Sequence, residues 1–142
     1  MRTMKLGTSS LEVPVIAVGC MGLNSLSIPD AERFLRTALE HGVNFFDHAD
    51  VYHSGDCERV FAQALHMNDD VREKVIIQGK VGIWNGYNSS REHLTQAVEG
   101  TLKRLQTDYL DVLLIHRPDP LVEPEEVAET FDALYTSGKV RN

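Results

Sequence analysis

The feature that most constrains the fold is a regular alternation of short apolar runs with longer amphipathic segments. Four runs rich in Val, Ile, Leu and Phe recur along the chain, at Val15–Gly19, Val43–Asp47, Val75–Lys80 and Leu110–His116. Their nearly continuous apolar character is typical of parallel strands that are covered on both faces. The segment before them, MKLGTSSLEVP, has turn residues between short apolar arms and predicts a hairpin.

The segments between and after these runs have the 3.6-residue apolar spacing of helices. The first helix is predicted from a capping box of Ser27 and Asp30 to Gly42, and the second spans about Cys57 to Met67. The third begins at Ser89, with Glu92 three residues later, and the fourth runs from Pro124 to Gly138. Strict βα alternation implies right-handed crossovers and an α/β fold, either a doubly wound sheet or part of a (β/α)8 TIM barrel.

Composition limits the kinds of partner. The chain has 142 residues, 42% of them hydrophobic, which suits one domain. Its net charge of -7 disfavours binding to nucleic acid and to anionic membranes, since both require a basic surface. No apolar run approaches the roughly 20 residues that span a bilayer, and the N-terminus lacks the apolar core of a secretory signal, so we expect a cytoplasmic protein. Cys20 and Cys57 are expected to be free thiols without redox chemistry.

Titratable side chains collect where the apolar runs end. Asp47, Lys80 and His116 close the second, third and fourth runs, and Tyr52 follows a few residues after Asp47. The carboxyl ends of parallel strands meet at one edge of a sheet, where α/β enzymes place their functional groups. Each residue alone is more often an ordinary strand-end or loop residue. Together the four predict a site at this edge.

These four side chains suit acid–base chemistry on a carbonyl. A free tyrosine titrates near about 10, so a tyrosine that donates a proton near neutrality needs a stabilised phenolate. A lysine ammonium about 4 Å away, at an effective dielectric near 20, contributes roughly 4 kcal/mol, or about three pKa units. Lys80 is placed to do this for Tyr52, Asp47 would keep Lys80 charged, and His116 would orient the substrate oxygen.

Three segments, FFDHADVY, IIQGKVG and LDVLLIHRPDP, resemble the corresponding segments of the aldo-keto reductase superfamily, and DHAD with HRPDP resembles its bacterial YdhF-type branch. Members are (β/α)8 barrels that use NADPH to reduce aldehydes and ketones. The resemblance implies a catalytic tetrad of Asp47, Tyr52, Lys80 and His116, with Tyr52 as the proton donor and Lys80 as the residue that tunes it.

The same resemblance implies contacts for cofactor and substrate. Cys20 and Met21, in the VGCMG turn, occupy positions that border the nicotinamide end of the cofactor in the family, and Asp47 would also touch the cofactor ribose. Trp84 and His116 would wall the substrate pocket, although Trp84 could equally be a loop aromatic packed on its own barrel. Two residues depart from the family pattern, His48 and Arg117, and we expect them to alter this pocket.

A metal site is the alternative interpretation of the segment after the second apolar run. His48, Asp50 and His53 have side chains that suit zinc or iron. His48 and Asp50, however, alternate around Ala49 as ordinary residues at the rim of a sheet would. We therefore expect no metal.

Length sets the last expectation. In the family, a segment similar to TSGKVRN precedes the fifth strand. Residues 1–142 would then be a reductase-like domain truncated after its fourth βα unit, which is the N-terminal half of a barrel. The absent half would bind the cofactor's phosphates and determine the preference for NADPH or NADH. An open half-barrel exposes strand edges and apolar surface, so the chain is a fragment, self-associates or has rearranged. A non-catalytic module that binds or self-associates is the alternative to a carbonyl reductase.

Overall fold

The N-terminal segment forms the predicted hairpin. The computed structural model describes residues 1–83 and 86–142. Strands β1 (Thr3–Lys5) and β2 (Glu12–Pro14) pair antiparallel, with Thr3 opposite Pro14. The turn between them passes through Gly7, whose φ of +57° is open to glycine without steric cost.

The four apolar runs form one parallel sheet. Its strands are β3 (Val18–Gly19), β4 (Phe45–Asp47), β5 (Ile76–Val81) and β6 (Val112–Ile115), and they lie side by side in chain order. This order, with a helix in each crossover, confirms the prediction of a parallel α/β half-barrel. The first strand is shorter than predicted, since Val15 and Ile16 are exposed and precede the paired residues.

Five α-helices in the described part of the chain connect or follow the strands. They are α1 (Ile28–Glu40), α2 (Asp56–Leu65), α3 (Asp69–Arg72), α4 (Arg91–Leu105) and α5 (Pro124–Thr136). A 3₁₀ turn, Leu23–Ser25, follows β3, and a turn with left-handed backbone at His53 and Ser54, Tyr52–Gly55, follows β4. The short α3 was not predicted from the sequence. The side chain of Asn68 caps its start by accepting from the Val71 amide.

The helix starts show one confirmed and one corrected cap. Ser27 caps α1, because its hydroxyl accepts from the Asp30 amide at 3.3 Å and donates to the Asp30 carboxylate at 2.6 Å. The prediction that Ser89 caps the third helix is wrong by one residue. Its amide donates instead to Asp119 Oδ2 at 3.0 Å, and Ser90 caps α4 by accepting from the His93 amide.

The sheet is covered fully on one face only. Phe46, Ile77, Val81 and Leu113 lie on the outer face, within the hydrophobic core shared with the helices. Side chains alternate along β5, so Gln78 and Lys80 lie on the inner face, which the described chain covers only in part. Leu114, opposite Lys80 in the register, is 40% exposed there. The expectation of strands covered on both faces is therefore met only in part, since the inner-facing Phe45 and Val112 are buried whereas Leu114 is not.

The C-terminal residues run along the outer strand β6. The Leu110 amide donates to the Lys139 carbonyl at 2.9 Å, and the Leu113 amide donates to the Asn142 carbonyl at 3.0 Å. Leu110 and Val140 form a parallel bridge. Residues 139–142 therefore take the place of a further parallel strand beside β6, so this edge is partly paired rather than fully open.

A buried ion pair ties α3 to the start of β6. Arg72 donates to Asp111 Oδ2 at 2.6 Å and to the Val75 carbonyl at 2.8 Å, and both charged side chains are nearly fully buried. Its guanidinium also stacks on Tyr109, 3.7 Å from the ring centre. The pair is satisfied on several sides, as a buried charge requires.

Candidate active site

Asp47 and Lys80 form the centre of the site, on neighbouring strands. The Lys80 ammonium is ion-paired with Asp47 Oδ1, and both side chains are largely buried. Gln78 Nε2 donates to the same carboxylate oxygen at 2.6 Å. Sequence reasoning missed Gln78. Its position two residues before Lys80, on the same face of β5, is the signal that could have found it.

Tyr52 reaches this pair from the turn that follows β4, Tyr52–Gly55. The Tyr52 amide donates to the Ala49 carbonyl at 3.1 Å, which begins the turn directly after the strand end. Lys80 Nζ lies 5.2 Å from the centre of the Tyr52 ring. One ammonium group is thus shared between a carboxylate and a phenol ring.

His116 completes the group from the end of β6. Its amide donates to the Val81 carbonyl at 2.8 Å, which continues the β5–β6 ladder, and its ring lies 6.0 Å from the Tyr52 ring at an interplanar angle of 87°. Burial, followed by the positive charges of Lys80 and Arg117, lowers the pKa of His116 below its usual range. The neutral imidazole is therefore favoured near pH 7.

The four predicted residues Asp47, Tyr52, Lys80 and His116 thus lie together at the carboxyl end of the sheet. Chemically, the group offers a phenol, an ammonium, a carboxylate and a mostly neutral imidazole around one space. Such a set can protonate and orient a polar oxygen, provided that a substrate enters from the partly covered inner face.

Cys20 and Met21 follow β3 at the same edge. The Cys20 amide donates to the Asp47 carbonyl at 3.0 Å, which joins this turn to the site. The Cys20 side chain is fully buried, and burial together with the negative charge of Asp47 raises the pKa of its thiol, so it stays protonated. Met21 is 60% exposed, and its carbonyl accepts from the Cys57 thiol. Of the two residues, Met21 presents its side chain to solvent.

His48 does not contribute to a pocket at this edge. It is completely buried on the outer side of the sheet, with its ring 4.6 Å from that of Phe61 in α2, centre to centre. Burial lowers the pKa of His48 to about 3, and neither ring nitrogen has a hydrogen-bond partner among the described residues. The expectation that His48 alters the substrate pocket is therefore wrong. Strand alternation turns it to the side opposite Asp47.

Trp84, which was predicted to wall the substrate pocket, lies outside the described residues.

The metal site that the segment after β4 suggested is not found in the part of the chain that the structure describes. Within residues 1–83 and 86–142, no group of three or more His, Cys, Asp and Glu side chains is arranged to hold a metal ion. Asp50 is partly buried, and burial, then the charge of Glu58, raises the pKa of its carboxyl to about 6.

Comparison with known proteins identifies the class. The profile described as the aldo/keto reductase family matches residues 15–142, and the chain therefore belongs to the aldo/keto reductase family. Its relatives include the oxidoreductase YcsN of Bacillus subtilis, which is 43% identical in an alignment that covers 87% of this chain and 45% of YcsN. Another is the oxidoreductase YdhF of Escherichia coli, 42% identical over 77% of this chain and 40% of YdhF.

A solved structure supports the same conclusion. The aldo-keto reductase AKR11C1 from Bacillus halodurans, in its holo form, superimposes with a TM-score of 0.88 at 33% identity, covering 99% of this chain and 48% of that one. The chain thus spans about half the length of the relatives it matches, consistent with the N-terminal half of a TIM barrel. Among the described residues, no helix is long and apolar enough to cross a membrane.

Proposed function

We propose that this chain is the N-terminal half of an NADPH-dependent reductase that reduces the carbonyl group of an aldehyde or ketone. The observation that carries the proposal is the position of the Lys80 ammonium, paired with Asp47 and 5.2 Å from the centre of the Tyr52 ring. A phenol beside a buried, carboxylate-held cation is suited to give up a proton and to remain briefly as a phenolate.

Each side chain takes a part in moving that proton. Tyr52 donates from its hydroxyl to the substrate oxygen, and Lys80 stabilises the phenolate that remains. Asp47 keeps Lys80 charged and in place, with Gln78 fixing the carboxylate. His116, neutral because its pKa is lowered, keeps one ring N–H with which to orient the substrate carbonyl. Trp84 and His116 would border the substrate.

The cofactor would lie along the same edge. NADPH supplies the hydride in this chemistry. Two observations fit its nicotinamide end here: the exposed Met21 beside Cys20, and the partly covered inner sheet face next to Asp47 and Lys80. Of the residues that would hold it, Asp47 offers acceptors to a ribose hydroxyl, while Cys20 and Met21 offer their turn as a wall.

The proposed partners are a small carbonyl substrate and neither nucleic acid nor membrane, in a cytoplasmic setting. A second role is favoured by the inner sheet face. Leu114 is 40% exposed on it, and such a surface also suits a non-catalytic module that binds a partner or self-associates. Gel filtration with light scattering tests pairing of two copies, and a well-behaved monomer would exclude it.

Two forms of the protein separate the two roles. One is the 142-residue chain, and the other is the same chain extended by the C-terminal four βα units of YcsN. Cofactor fluorescence titration and NADPH oxidation with a simple aldehyde are measured on both. We expect binding and turnover by the extended form. A folded extended form that binds NADPH but oxidises none with any aldehyde would leave the binding module as the better account.

A further inference from the structure

The turn that carries Tyr52 has an unusual backbone. Its next three residues all have left-handed conformations, with φ of 48° at His53, 55° at Ser54 and 84° at Gly55. Glycine adopts this region freely, but side-chain-bearing residues do so at an energetic cost. Two such residues in succession persist only where the surrounding structure holds them, so the contacts of this turn decide where Tyr52 lies.

Arg104 of α4 makes such a contact. A Cβ atom added at Gly55 would lie 2.3 Å from Arg104 Nε, and one added at Gly100 would lie 2.8 Å from Arg104 Nη1. The guanidinium therefore fills the space between the backbone of the turn and the backbone of α4. No side chain larger than hydrogen fits at Gly55 without displacing Arg104.

The guanidinium is itself fixed by a buried carboxylate. Glu58, in the first turn of α2, is fully buried and accepts from Arg104 Nε. The Thr101 hydroxyl donates to Glu58 Oε1 at 3.0 Å and accepts from Arg104 Nη2 at 3.1 Å. The three side chains form a closed hydrogen-bonded set. A satisfied buried network of this kind rigidifies the segments that it joins.

We propose that Arg104 and Glu58 are positioning residues for Tyr52, acting through the left-handed turn rather than by touching substrate. The inference rests on the proposed function of Tyr52 as proton donor. The claim that the pair fixes the place of the Tyr52 ring beside Lys80 does not depend on that function. Residues 53–55 link the two, and the turn is closed by the Ser54 amide donating to the Val51 carbonyl at 3.3 Å.

The test combines Glu58→Gln with Arg104→Gln, so that neither charge is left buried without its partner. The matched control is Glu99→Gln with Lys139→Gln, which removes a far more exposed ion pair between α4 and the residues after α5. The ring signals of the chain's four tyrosines are recorded by NMR with ¹³C-labelled tyrosine, and Tyr52→Phe assigns the Tyr52 signal. This readout needs no activity.

We expect the Tyr52 ring signal to move or broaden in the double variant and to stay unchanged in the control. In the YcsN-extended form, kcat should fall by at least about tenfold with the KM for NADPH within about twofold, since misplaced catalytic groups act on turnover. An unchanged Tyr52 signal with unchanged kcat overturns the proposal. If the extended wild type has no turnover, the proposed function fails, and the ring signal alone still decides the positioning claim.

Arg104→Lys provides the second variant, should the double variant fail to fold. It keeps both charges and the backbone of the turn, but it removes the Nε that lies against Gly55 and the Nη2 that donates to Thr101. The same displacement of the Tyr52 signal is expected, and wild-type signals with wild-type kcat would overturn the proposal.

Discussion

Lys80 holds its ammonium nitrogen 5.2 Å from the centre of the Tyr52 ring while it is ion-paired with Asp47. Lys80 lies in β5 and Tyr52 in the turn after β4, and the two residues are 28 positions apart in the sequence. Their proximity therefore depends on the parallel register of β4 and β5, which places Asp47 opposite Gln78. The proposed acid–base chemistry therefore depends on that register.

The charge of Arg117 is predicted to influence His116. Burial is the main cause of the lowered pKa of His116, and Lys80 and Arg117 add to it by disfavouring a third positive charge. Arg117→Gln should therefore raise the pKa of His116 towards the usual histidine value. NMR titration of the imidazole measures it, with Arg91→Gln as the control. A pKa of His116 that falls or stays constant would contradict this assignment.

His48 is predicted to make the fold sensitive to acid. Its pKa is about 3 in the folded chain because of burial, against a usual value of 6.5, so the unfolded state binds the proton first as the pH falls. His48 therefore does not reduce the free energy of unfolding above pH 6.5. Below that pH it should reduce the free energy of unfolding by about 1.4 kcal/mol per pH unit.

Urea unfolding of the wild type and of His48→Leu at pH 7 and pH 5 checks this. The loss between the two pH values should be about 2 kcal/mol smaller in the variant. An equal loss in both proteins would mean that other groups cause the acid sensitivity.

The Arg72–Asp111 pair is predicted to be a major source of stability. Arg72→Met leaves the Asp111 carboxylate buried without its cation, and we expect the free energy of unfolding to fall by about 3–5 kcal/mol. Arg91→Met, which removes an exposed pair with Glu129, should cost less than about 1 kcal/mol. Similar losses in the two variants would contradict the importance of burial.

Much of this fold could be predicted from local sequence. The apolar runs and the 3.6-residue spacing located four strands and four long helices, and Ser27 with Asp30 identified a cap correctly. The errors concern the placement of single side chains. Ser90 rather than its neighbour Ser89 caps α4, and the Ser89 amide is held by Asp119, thirty residues away. His48 lies on the outer side of the sheet because side chains alternate along the strand at the end of β4.

The residues of the candidate site also divide into those that local sequence predicts and those that it does not. Asp47, Lys80 and His116 were recognisable as the strongly polar groups that end the apolar runs, because parallel strands bring such ends together. Arg104 was not recognisable. Its contact with Gly55 joins segments 49 residues apart and arises from helix packing, which no local pattern records.

The central claim is that Tyr52 donates the proton, and Tyr52→Phe in the YcsN-extended form tests it most directly. The substitution removes one hydroxyl and keeps the ring beside Lys80. NADPH oxidation with an aldehyde should fall to background, while fluorescence titration should give a Kd for NADPH within about twofold of the wild type. Turnover retained at a rate close to that of the wild type would contradict the claim.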